Sequence, residues 1–142
     1  MKHLTAILLL LGFTGAASSA GLLGQEKQIL PMTRANWVAF RNYDGKQWIY
    51  FTHLIVYRCG LREIRYSIDS DWLRERFPLP PCDPDNPNAF DPVAYPPYLV
   101  LPAGSAATIS VQLVYTDREE SEVVRFAPCD VADDSTCAVL VE

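Results

Sequence analysis

The sequence predicts an all-β fold, an antiparallel β-sandwich, and three observations predict it. Ile64, Tyr66 and Ile68 alternate with Glu63, Arg65 and Ser67, and Ile109, Val111, Leu113 and Tyr115 alternate with Ser110, Gln112, Val114 and Thr116. Alternation of period two is the mark of a strand with one buried face. Asp44-Gly45 parts two segments rich in aromatic and β-branched residues, the strongest short-range hairpin signal. No long stretch carries a helical period, so the expected architecture is about six to seven short strands, one short helix and a long proline-rich loop.

The amino terminus reads as an export signal. Lys2 and His3 precede an apolar run at residues 4–13, and Gly15, Ala16, Ala17, Ser18, Ser19 and Ala20 follow, the three sections of a cleavable leader. The run falls short of the roughly 20 residues that span a bilayer. Cleavage after Ala20 leaves about 122 residues, enough for one compact domain. The expected division is a signal peptide at 1–20, an amino-terminal arm at 21–34, the sandwich at 35–127 and a disulfide-closed tail at 128–142. The expected location is the periplasm or the exterior, without stable membrane insertion once the signal is removed.

A formal net charge of −5 argues against a nucleic-acid partner, because phosphate affinity comes from clustered Lys and Arg. Arg58, Arg62, Arg65, Arg74 and Arg76 do cluster, but Glu63, Asp69, Asp71 and Glu75 interleave with them, the pattern of a solvated mixed-charge face. Cys59, Cys82, Cys129 and Cys137 form an even set suited to an oxidising compartment. Three pairings are open to them. Cys59 with Cys82 and Cys129 with Cys137 are favoured, since each closes a loop with little structure of its own. Zinc is disfavoured by the lack of Cys-x-x-Cys and by a single histidine, His53, beyond the leader.

Taken in order, residues 21–34 show no clean period and contain Pro31, which predicts a loop or arm. The hairpin joins a strand around Trp37, Val38, Phe40 and Tyr43 to one over residues 47–57. That second strand is apolar on both faces, Trp48, Tyr50, Leu54 and Val56 against Ile49, Phe51, Ile55 and Tyr57, so its outer face needs an internal cover or a partner. Residues 70–77 begin with a capping serine and stop before Pro78, which predicts one or two helical turns with Trp72 and Phe77 tucked onto the sandwich. Residues 78–97 hold eight of the eleven prolines and predict a long surface loop. Strands follow at 98–101, 109–116 and 121–127, and Val139, Leu140 and Val141 suit an edge strand.

Three of these stretches carry a family likeness. Ile64-Arg65-Tyr66-Ser67-Ile68-Asp69, then Tyr98-Leu99-Val100-Leu101-Pro102, Ile109-Ser110-Val111-Gln112-Leu113, Asp117 and Ser121 resemble the immunoglobulin-like accessory module of the chitobiase carboxy-terminal type. The likeness spans residues 64–126, with Ser70 in place of that family's glycine and a long insertion up to Pro97. It implies an immunoglobulin-like sandwich without catalytic residues of its own, and it transfers no site.

No catalytic set can be assembled from the sequence, which holds no nucleophile elbow, zinc-protease motif or phosphate-cradling glycine loop. His53 has the acid–base chemistry for a small hydrolase only if a carboxylate such as Glu63 or Asp69 stands beside it. Asp83, Asp85, Asn88 and Asp91 crowd oxygens into one loop, yet Pro87 and Ala94 occupy positions where a calcium loop needs ligands; no metal or other cofactor is expected. Trp72, Tyr95 and Tyr98 lie at or near loops and are the candidate ligand-binding residues for a carbohydrate or peptidoglycan module. The leading expectation is a non-enzymatic, exported protein that binds another envelope or secreted protein, in one form an inhibitor inserting the loop around Cys82.

Overall fold

The computed structural model describes residues 23–130 and 135–142, and the expected signal peptide lies outside them. Two antiparallel sheets make the fold. One carries β1 (Ala39–Tyr43), β2 (Lys46–Tyr50) and β5 (Tyr98–Pro102) in the order β1-β2-β5. The other carries β3 (Leu61–Ile68), β4 (Glu75–Phe77), β6 (Ile109–Tyr115), β7 (Val124–Ala127) and β8 (Val139–Val141) in the order β4-β3-β6-β7-β8. Two short helices, α1 (Glu26–Met32) and α2 (Thr52–Val56), and two 3-10 turns, Arg34–Asn36 and Arg58–Gly60, complete the described elements.

The hairpin forms as expected. Asp44 has φ of 52° and Gly45 of 65°, the paired left-handed values of a type I′ turn, whose twist matches the strands it joins. Alternation along β3 holds over Glu63 to Tyr66 and then departs from expectation: Ile64 is fully buried, Tyr66 and Ile68 pack on the core and Glu63 and Arg65 face outward, but Ser67, expected outward, is buried where its hydroxyl donates to the Ser70 carbonyl of the following connection. Facing them across the core are Phe40, Ile49, Leu99 and Leu101 of the smaller sheet, with Ile109, Val111, Leu113 and Phe126 beside them on the larger. Both disulfides pair as favoured, Cys59 with Cys82 and Cys129 with Cys137. Val139–Val141 adds the edge strand beside β7.

Four expectations are corrected. The strand expected over residues 47–57 ends at Tyr50, and α2 follows. Phe51, Leu54, Ile55 and Arg58 are all buried, a spacing of three, four and seven residues that is helical; the residues beyond Tyr50 assigned to the strand's two faces belong to this turn of helix, while β2 itself keeps Ile49 on one face and Trp48 and Tyr50 on the other. Residues 70–77 make no helix. Asp69 and Leu73 both adopt φ of 49°, left-handed values that interrupt any helical turn, and Glu75–Phe77 instead pairs with β3 as β4. Phe77 enters the core, stacked on Phe51 at 4.0 Å, but Trp72 does not tuck in and stands 75% exposed. The arm contains α1 despite Pro31. The proline sits in the last turn, so the missing N–H costs one bond, and Thr33 closes the helix on the carbonyls of Ile29 and Leu30. Trp37 holds this helix down by donating from Nε1 to the Leu30 carbonyl at 2.9 Å. Arg58, finally, belongs to no solvated face, being 3% exposed.

Candidate binding loop and aromatic face

Residues 78–97 form no helix or strand, yet they are held from within. Arg58 follows α2 directly, in the 3-10 turn Arg58–Gly60. Its guanidinium donates through Nε to the Pro81 carbonyl at 2.9 Å, through Nη1 to Pro87 at 2.6 Å and Ile55 at 3.2 Å, and through Nη2 to Ala89 at 2.6 Å. The planar fork of donors suits this work: three carbonyls spread along nine residues of loop converge on one side chain. Burial pushes the guanidinium pKa down and the charge of Asp83 opposes that, but arginine stays protonated in proteins. The adjacent Cys59 adds a covalent tie to Cys82.

The result is an exposed segment on a fixed base. Pro80 and Pro87 are buried, and every residue from 81 to 86 is exposed. Inside it, Asp83 Oδ1 accepts from the amides of Asp85 at 3.0 Å and Asn86 at 3.3 Å, so the side chain caps its own turn. Asp91 repeats the device on Val93 and Ala94, at 2.9 and 3.2 Å. The loop closes where Phe51 N donates to the Pro97 carbonyl at 2.8 Å. Residues 78–97 contain Asp83, Asp85 and Asp91 and no Lys or Arg, so the exposed rim is acidic. Among the described residues no group of three or more His, Cys, Asp or Glu is arranged to hold a metal ion.

A second feature lies on the outer face of the smaller sheet. Gln47 and Ile49 of β2 point inward, Gln47 because its amide bonds both backbone groups of Ala106, at 2.9 and 2.8 Å. Trp48 and Tyr50 therefore face out. Tyr98 of β5 lies opposite Tyr50, with ring centroids 4.8 Å from Trp48 and 5.8 Å from Tyr50. Tyr43 of β1 joins at 6.3 Å from Trp48, and the Arg41 guanidinium lies 4.3 Å from the Tyr43 ring. Trp48 and Tyr50 lie within 16° of parallel. The outward positions of the three strands are Ala39, Arg41, Tyr43, Lys46, Trp48, Tyr50, Tyr98, Val100 and Pro102, and none is acidic.

Of the residues predicted to bind a ligand, Tyr98 belongs to this aromatic face. Tyr95 stays in the loop, half-buried, and Trp72 projects from the β3–β4 connection of the larger sheet, with the Arg74 guanidinium 4.7 Å from its ring. No ring contact joins Trp72 or Tyr95 to Tyr98 among the described residues. His53 lies on α2, half-buried, its Nε2 3.0 Å from Thr33 Oγ1 and its ring against Tyr57. The Thr33 hydroxyl donates to the Ile29 carbonyl, which leaves Nε2–H as the donor to Thr33. Neither suggested carboxylate meets His53: Glu63 is bound by Arg65 and Arg76, and Asp69 accepts from the amides of Ala107 and Thr108. Sequence reasoning passed over Arg58, whose signal was its place on the buried helical period of α2. It placed Trp48 and Tyr50 on one face of the strand but joined neither Tyr43 nor Tyr98 to them, because a buried glutamine hid which face of β2 was inside. Comparison of the chain with protein-family models, curated proteins and solved structures returns no match.

Proposed function

We propose that this chain is an exported, non-catalytic β-sandwich protein that acts by binding another protein of the envelope or the exterior, and that the exposed segment 81–86 is its contact element. The observation that carries the reading is the grip of Arg58 on the carbonyls of Pro81, Pro87 and Ala89. A loop ordered before it meets a partner loses less entropy on binding, and two buried prolines, a disulfide and two aspartate-capped turns order this one. The two disulfides agree with an oxidising location. The resemblance to non-catalytic accessory modules agrees in kind, and among the described residues neither Glu63 nor Asp69, the carboxylates suggested for a hydrolase built on His53, is bonded to it.

The test is site-specific photo-crosslinking in producing cells, with the reactive side chain at Asn86 and, as a control, at Met32, an exposed residue on α1. The expected result is one discrete adduct with a foreign protein from position 86 and none from position 32. Equal adducts from both positions, or none from 86, would overturn the reading.

A further inference from the structure

A hollow of about 300 Å³ opens beside the contact segment, between α1, the Arg58–Gly60 turn and the end of β6. The Cys59–Cys82 disulfide lies on its wall, so Cys82 belongs at once to the hollow and to residues 81–86. Glu26 lines the hollow and is only 5% exposed, and its carboxylate makes no hydrogen bond or ion pair among the described residues. Its stem is laid against Gly60, and neither carboxylate oxygen is sealed from solvent. The charge therefore sits in a nearly covered position with the hollow as its outlet. A carboxylate taken this far out of water without a partner costs stability, and a ligand that pairs with it offsets that cost.

Such a ligand has to donate hydrogen bonds and carry positive charge. An ionised glutamate only accepts, and Tyr115, on the same wall, has a buried hydroxyl with no hydrogen-bond partner. Lys27 is the one cation among the described residues of the wall, and it is engaged by Asp117 at 2.6 Å and by Glu119. The neighbouring loop adds exposed Asp83 and Asp85, with no Lys or Arg in residues 78–97. Arg58 underlies that loop, but it is buried and its donors are given to carbonyls.

We infer that this hollow is the receptor for a basic side chain, arginine or lysine, of the partner protein, which pairs with Glu26 while the partner's surface rests on residues 81–86. The inference rests on the reading of that segment as a contact element and adds the chemistry of what it meets: a basic patch with one side chain long enough to enter the hollow. A half-covered carboxylate beside an acidic loop selects such a side chain over a neutral one. Arginine, with its fork of donors, suits a carboxylate best.

Two measurements test this. In the first, the purified protein is titrated with N-acetylarginine amide and with N-acetylcitrulline amide, its neutral counterpart of the same shape, while backbone amide resonances are followed. The arginine compound is expected to shift Glu26, Gly60 and Thr116, the citrulline compound to leave them in place, and Glu26→Gln to abolish the difference. In the second, photo-crosslinking from Asn86 is repeated in Glu26→Gln, whose adduct is expected to fall about tenfold or more, with Glu26→Asp restoring part of it. The comparison of the two compounds is made on the unmodified protein, so it decides the matter even should Glu26→Gln fold poorly. Equal shifts from the two compounds, no shift from either, or an undiminished adduct in Glu26→Gln each overturn the inference, and all three leave the contact reading standing if Asn86 still captures its foreign protein. No adduct from Asn86 in the unmodified protein defeats the contact reading itself, and with it the partner named here, whatever the arginine compound does.

Discussion

At the scale of single residues, Arg58 has the clearest consequence. Its three loop bonds are made by a cation to carbonyls, the one to Pro87 buried and those to Pro81 and Ala89 part-buried, a class in which each bond is worth roughly 1.5–3 kcal/mol. Lysine at this position keeps the charge but offers a point of donors instead of a fork. Arg58→Lys is therefore expected to lower stability by about 3 kcal/mol and to free the loop first, seen as faster proteolytic nicking within residues 81–86 at temperatures where the sheets remain folded. Equal nicking rates in both proteins would contradict that role. His53 gives a pH dependence with a definite sign. Burial lowers its pKa below the ordinary 6.5, so the unfolded chain takes up a proton that the folded chain refuses. Stability is thus full above 6.5 and is lost as the pH falls through the depressed folded value. Melting curves should show this loss in the unmodified protein and not in His53→Gln. Asp71, held low by hydrogen bonds from Ser110 and then Arg125, and Asp117, held low by Lys27, add a further loss at more acid pH that the His53 variant retains.

At the scale of elements, the passage from α2 to β3 decides how the parts meet. Gly60 ends the 3-10 turn against α1, and a Cβ there would overlap the Glu26 side chain, standing 2.8 Å from its Cγ. The helix would have to withdraw, and overpacking of this kind costs about 1–3 kcal/mol. Gly60→Ala should lower the melting temperature accordingly, with raised amide exchange in α1 and little change in the β1–β2 hairpin; uniform exchange across the chain would mean that α1 does not rest on this contact. The same passage shows what could be read from residues alone. The hairpin, β3 and β6 were legible because turn chemistry and period agree there. The run after Tyr50 was not, because Thr, Ile and Val favour strands locally while Phe51, Leu54, Ile55 and Arg58 obey the helical period of the buried surface. A charged fourth member hid that period. The segment 70–77 misled for another reason: nothing in the identity of Leu73 announces a left-handed backbone, and in the fold the Leu73 amide donates to the Ser67 hydroxyl of β3 while the Trp72 amide donates to the Ser70 hydroxyl.

At the scale of the molecule, the two disulfides are the pairs that the sequence favoured, although the stretch from Cys59 to Cys82 holds β3 and β4 rather than a loop without structure of its own, and the β class followed from alternation. The candidate site was only half readable. The exposed loop follows from its prolines, but its rigidity depends on an arginine 20 or more residues earlier in the chain, a non-local fact that no spacing rule carries. The aromatic face depends on which side of β2 is inside, and Gln47 settles that through Ala106 on a distant connection. Long-range ties of the same kind join the outer parts: Lys27 of α1 pairs with Asp117 and Glu119 of the β6–β7 turn, and Arg34 with Glu122 at 2.5 Å.

The carboxy-terminal tail has a mechanical consequence. Cys137 exchanges backbone hydrogen bonds with Phe40, both at 2.9 Å, between the edge of the smaller sheet and β8 on the larger. The bond from Cys137 to Cys129 makes a covalent ring of that stretch. A force drawing on Glu142 would unzip β8 one residue at a time and then meet the ring. The slack released by that point is only the five residues after Cys137, roughly 17 Å of contour length. Beyond it the load passes through sulfur to Cys129, short-cutting the loop, and reaches β7 directly. The tail therefore behaves as a tether with a built-in stop.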